Sequence, residues 1–117
     1  MGRNFPEFNN EPFVVVTGVQ NVTQFFQIVG KRGYTWGREN ASRFTQGSLS
    51  AGMNNLGENL AFIIEDTDPG WDRRQYFEEE YHYPVYTFDE FLEKIGQYKN
   101  ESEGLNDHQI DQFSILL

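Results

Sequence analysis

The chain has 117 residues, is 38% hydrophobic and 16% aromatic, and carries a formal charge of −9. That is the size of one domain, and it excludes a large multidomain enzyme or a long repeat array. No cysteine is present, which excludes disulfide scaffolds, zinc ribbons, iron–sulfur sites and thiol nucleophiles. Residues 1–12 are polar, with Pro6, Asn9, Asn10 and Pro12, and predict a loose arm. Phe13-Val14-Val15-Val16-Thr17 is a continuous run rich in β-branched residues, as expected of a central buried strand. Asn21 with Gln24 has the form of a capping box. Val22, Phe25, Phe26 and Val29 follow on one helical face. Gly30 and Gly33 stop that helix, and Tyr34-Thr35-Trp36 predicts a short strand or an aromatic lid over its end.

Residues 37–59 are polar and long for a plain connection; the spacing of Leu49, Met53 and Leu56 predicts a short helix within them, near Ser48–Asn55. Leu60-Ala61-Phe62-Ile63-Ile64 is a second buried strand, closed by the turn Glu65–Gly70. Tyr76 to Val85 reads as a third, aromatic strand, and Pro84 marks a strand end or an edge position. Thr87-Phe88-Asp89-Glu90 is a capping box that opens an amphipathic helix through Phe91, Leu92 and Ile95. Residues 100–117 predict a linker and a short C-terminal helix carrying Ile110, Phe113 and Leu117. The expected fold is a single α+β domain over residues 13–99. It has a two- to four-stranded, mainly antiparallel sheet with two or three helices on one face.

Charge is unevenly divided along the chain. Residues 1–50 hold five basic and three acidic side chains, whereas residues 51–117 hold four basic and fifteen acidic ones. The acidic half contains Asp66, Asp68, Asp72, Glu78, Glu79 and Glu80 around Trp71, Tyr76 and Tyr81. Carboxylates ringing aromatics suit a docking face for a basic protein, since aromatics anchor and charges steer. Carboxylates standing where phosphates would lie, as in a DNA mimic, are one form of such docking. Asp66, Asp68, Trp71, Asp72, Glu78, Glu79, Glu80 and Tyr81 are therefore the candidate partner-binding residues. The alternative is a nucleic-acid or nucleotide site built from Lys31, Arg32, Tyr34, Trp36, Arg38 and Arg43, which mix cations with rings able to stack on bases. The acidic molecule as a whole opposes that reading.

Catalytic patterns are missing. No GxGxxG or Walker sequence occurs, and Ser50 lacks the first glycine of a nucleophile elbow. Counted from Asp66, Phe77 occupies the position where a calcium loop needs its bidentate Glu. No catalytic residue, cofactor or metal is expected. No apolar run reaches the length of a membrane span and the N-terminus has no apolar signal region, so a cytoplasmic protein with no membrane partner is expected. The third strand or the C-terminal helix would be the surface for a homodimer.

Gly33-Tyr34-Thr35-Trp36 after an amphipathic helix, an isolated strand, and the late Tyr86-Thr87-Phe88-Asp89-Glu90-Phe91-Leu92 together resemble small accessory proteins of tailed bacteriophages over residues 13–96. The resemblance implies a non-enzymatic protein that acts in the host cytoplasm by binding a host protein, such as a defence nuclease. It transfers no catalytic residue.

Overall fold

The computed structural model describes residues 5–97. Its strands are β1 (Phe13–Val16), β2 (Thr35–Trp36), β3 (Glu39–Asn40), β4 (Leu60–Ile64), β5 (Gly70–Arg73) and β6 (Val85–Thr87). Its α-helices are α1 (Val22–Lys31), α2 (Ala51–Leu56), α3 (Arg74–Glu80) and α4 (Phe88–Ile95). The main sheet has the order β5-β4-β1-β6, and β2 pairs with β3 in a separate hairpin. β4 is antiparallel to both β1 and β5, while β6 runs parallel to β1. The fold is α+β, as expected.

β1 and β4 are apolar throughout because both of their faces are covered. Alternation sends Phe13, Val15, Leu60, Phe62 and Ile64 to one side, with α1, α2 and α4. Val14, Ala61 and Ile63 point to the other side, where Phe77 of α3 covers them. Three helices thus share one face, and the short α3 lies on the opposite one. The α1 spacing is as predicted, with Val22, Phe25, Phe26 and Val29 all buried. Its expected cap is not formed: Asn21 instead donates from Nδ2 to the Thr17 carbonyl at 3.0 Å. The α4 capping box is formed, with Glu90 N–H donating to Thr87 Oγ1 at 3.1 Å and Thr87 N–H to Glu90 Oε1 at 2.8 Å. The expected short helix in the polar stretch is α2, capped by Ser50, whose Oγ accepts from Met53 N–H.

Two expectations are corrected. From Phe5 onward the N-terminal arm is packed rather than loose. A 3-10 turn at Pro6–Phe8 puts Phe5 and Phe8 on one side, where both are buried. Phe8 stacks on Phe13 with centroids 3.9 Å apart, and Phe5 meets Phe13 edge-on at 5.3 Å. Arg32 holds Glu7 through two hydrogen bonds of 2.7 and 2.8 Å and lies 4.4 Å over the Phe5 ring.

Half of the stretch read as a third strand, residues 76–80, is helical instead. Residues 74–80 are α3, and only Val85–Thr87 form a strand. The helix gains two pairings at i,i+4 spacing, Arg74–Glu78 and Gln75–Glu79, both at 2.8 Å. Adjacent glutamates therefore do not alternate across a sheet. The expected linker and C-terminal helix at residues 100–117 lie outside the described residues.

The Arg32 hydrogen bonds hold the Glu7 carboxyl below its usual pKa; burial opposes this, and a backbone hydrogen bond and the Arg32 charge add to it. A carboxyl depressed in the folded state contributes stability above its unfolded pKa, and loses it as pH falls through the folded value. Glu7→Gln should therefore cost about 1 kcal/mol at neutral pH. In urea titrations, the difference between wild type and variant should shrink as pH drops below the carboxylate range.

Candidate functional site

The cationic segment is largely occupied with structural contacts. Tyr34 is fully buried, and Trp36 packs against Phe26 at 4.8 Å and Phe62 at 6.2 Å. Tyr34 therefore presents no face for a base, and Trp36 is half-buried. Arg32 is committed to Glu7, and Arg43 pairs with Glu39 at 3.1 Å. Lys31 and Arg38 are exposed. The segment braces the end of α1. Asn40 donates from Nδ2 to the Gly30 carbonyl at 2.9 Å, and a Cβ at Gly30 would collide with Ser42 N and Asn40 Oδ1.

The acidic candidates fall in three places. Asp66 and Asp68 shape the turn between β4 and β5. Asp66 Oδ1 accepts from Thr67 N–H at 2.9 Å, Thr35 Oγ1 donates to Asp68 Oδ1, and Thr35 N–H donates to the Thr67 carbonyl at 2.9 Å. These bonds dock the turn on β2. Glu78 and Glu79 hold Arg74 and Gln75 along α3. No three acidic or histidine side chains among the described residues are grouped to hold a metal ion.

The third place is the corner where β5 runs into α3, with Arg73 and Arg74 adjacent in the chain and no loop between. Register pairs Trp71 with Phe62 and Asp72 with Ala61, so alternation sends the two side chains to opposite faces. Trp71 lies toward α2, its indole over Gly52, where an added Cβ would stand 3.0 Å from Cη2. Asp72 lies on the α3 face. Tyr76 and Glu80, four residues apart on α3, share a side of that helix. Tyr76 meets Tyr81 with ring centroids 6.0 Å apart, and Tyr81 meets Tyr83 at 5.6 Å. Tyr83 in turn donates to Glu65 Oε2 at 2.7 Å.

The environment of Tyr76 is anionic. Its phenol is raised above the usual pKa, first by the neighbouring Tyr81, then by lost hydration and by Glu80, and also by a hydrogen bond with Tyr81 and by Asp72. Tyr76 is 43% exposed and Trp71 37%, and these are the exposed large hydrophobic side chains among the described residues. Both flank the same sheet edge. Asp72, Tyr76, Glu80 and Tyr81 thus come together, with Trp71 on the opposite side of that edge.

One of the outward backbone donors of the edge is closed by a side chain. Val14 N–H donates to the Pro84 carbonyl, and Gly18 N–H donates to the Leu60 carbonyl. Alternation from these bonds turns Ala61 and Ile63 toward β5, so Gly70 and Asp72 pair inward while Trp71 and Arg73 face out. Asp72 Oδ1 takes the Arg73 N–H at 2.6 Å. Side chains, more than a strand-pairing backbone, are what this corner offers.

Sequence reasoning left Tyr83 out of the group. The Tyr81–Tyr83 spacing in a non-helical segment ahead of Pro84 was the available signal, since i,i+2 residues share a side in extended chain.

Comparison of the chain with family models, curated proteins and solved structures finds no match. No helix among the described residues is long and apolar enough to cross a membrane.

Phe77 is the buried residue of α3 and packs with Val14, Ala61 and Ile63. Phe77→Ala should therefore cost about 3 kcal/mol. Hydrogen exchange should quicken in residues 74–80 well beyond its change in α1 and α4.

Proposed function

We propose that this chain is a non-enzymatic protein-binding module that docks the β5–α3 corner on a basic surface of another protein. One observation carries the reading. The exposed large hydrophobic side chains of the described residues, Trp71 and Tyr76, flank one sheet edge, with Asp72 on the α3 face of β5 and Glu80 one helical turn from Tyr76. Exposed aromatics supply contact area at low entropic cost, and nearby carboxylates steer a basic partner and select its orientation. The contact set is smaller than the acidic run in the sequence. Glu78 and Glu79 act within α3, and Asp66 and Asp68 within their turn. In the role that the sequence resemblance implies, it would act as an inhibitor or modulator of a host protein in the host cytoplasm.

The nucleic-acid reading needs stacking rings and free cations together. Tyr34 and Trp36 pack inward, and Arg32 and Arg43 are paired, which favours the docking reading over it.

The test is affinity capture on the full chain beside its Tyr76→Ala and Glu80→Gln variants. Wild type should retain one basic protein in stoichiometric amount, released as salt rises. Each variant should retain several-fold less while still unfolding in one cooperative transition, since neither side chain belongs to the buried core. Retention of nucleic acid instead, lost on Lys31→Ala and Arg38→Ala, would overturn the proposal.

A further inference from the structure

The charge at the β5–α3 corner lacks a counter-ion within the described residues. Asp72 and Glu80 form no ion pair there. The nearby cations are directed elsewhere: Arg74 is committed to Glu78 at 2.8 Å, and Arg73 lies, by alternation, on the Trp71 face of β5. Asp72, on the α3 face of β5, and Glu80, one helical turn along from Tyr76, therefore flank an electron-rich ring with no cation among the described residues paired to them.

That ring is also supported. Phe77 and Tyr81 meet Tyr76 at 5.6 and 6.0 Å with interplanar angles of 65° and 67°. These neighbours restrain the ring while it stays 43% exposed. Phe77 is itself fixed in the apolar layer beneath. A recognition element built on Tyr76 is thus held by the fold, whereas the Asp72 side chain already closes the Arg73 backbone donor.

Resting on the docking reading above, we infer that this corner captures an arginine side chain of the basic partner, its guanidinium laid on the open face of Tyr76 and reaching Asp72 and Glu80 with its N–H groups. The chemistry favours guanidinium over ammonium. A guanidinium is planar, stacks on a tyrosine ring and sheds water easily. Its five donors point in several fixed directions, so one group serves carboxylates on two different elements. An ammonium is a compact, strongly hydrated point charge that gains less from the ring.

The experiment uses the full chain and two short peptides of equal length, one alternating Gly–Arg and the other alternating Gly–Lys. Binding of each is measured by calorimetry at moderate salt. The arginine peptide should bind about tenfold tighter than the lysine peptide. Tyr76→Ala should bring that ratio close to one, Tyr76→Phe should preserve it, and Glu80→Gln should weaken both peptides. Saturation with the arginine peptide should also lower the Tyr76 titration, followed by tyrosinate absorbance against Tyr76→Phe. Equal affinities for the two peptides, lost on Glu80→Gln, would overturn the arginine inference and leave the acidic docking reading standing. An arginine preference that survives Tyr76→Ala would also overturn the inference. No binding of either peptide would overturn both readings.

Discussion

The architecture follows from a sheet whose two central strands are apolar on both faces. β1 and β4 contribute Val14, Ala61 and Ile63 to a side that the larger helices do not reach. Leaving that side in water would expose continuous apolar surface. A chain this short has few residues left to cover it. It uses one seven-residue helix, entered directly from the edge strand and held by Phe77. The candidate surface is a by-product of this economy. A helix with one buried anchor keeps its flanking tyrosines and glutamates at the rim, partly in contact with the fold and partly in solvent.

The opposite layer solves its packing with rings instead of aliphatic bulk. Phe91 contacts Phe5, Phe8, Phe13, Phe25 and Phe88, with centroid separations from 5.7 to 6.1 Å. Large rings in tilted and stacked pairs fill volume with few residues, which is how a chain of modest hydrophobic content closes a core. The N-terminal segment belongs to this layer. Arg32 ties it to the end of α1, so the cation that looked available for a ligand clamps one part of the fold to another. Two consecutive residues with positive φ, Asn9 at 59° and Asn10 at 55°, turn the chain from that clamp into β1.

What the sequence made legible divides by the range of the interactions involved. The β1 and β4 runs, the buried face of α1 and the capping box of α4 are local patterns, and each is present. Asn21 shows the limit: instead of accepting from the first turn of α1, its side-chain amide donates to the Thr17 carbonyl in the incoming loop. The arm at residues 5–8 looked polar because its two phenylalanines find their partners only across the fold. The stretch from Tyr76 to Val85 reads as strand because its tyrosines favour β structure in general. Its i,i+4 side-chain pairs and the need to cover Ile63 and Ala61 decided for helix. The site was legible in composition but not in arrangement. Asp72, Tyr81 and Glu80 belong together, while Asp66 and Asp68 answer to Thr67 and Thr35 and Trp71 faces the other way.

Both outer strands of the sheet pass into a helix without an intervening residue, β5 at Arg73–Arg74 and β6 at Thr87–Phe88. The two helices lie on opposite faces, α3 with Val14 and Ile63 and α4 with Phe13. A slip of either edge strand along its neighbour would carry a whole helix out of its seat. The sheet is thus latched at both margins, in opposite senses, by the covalent chain itself. A two-residue advance of β5 past β4, which side-chain alternation alone would tolerate, is forbidden by the geometry of what comes next.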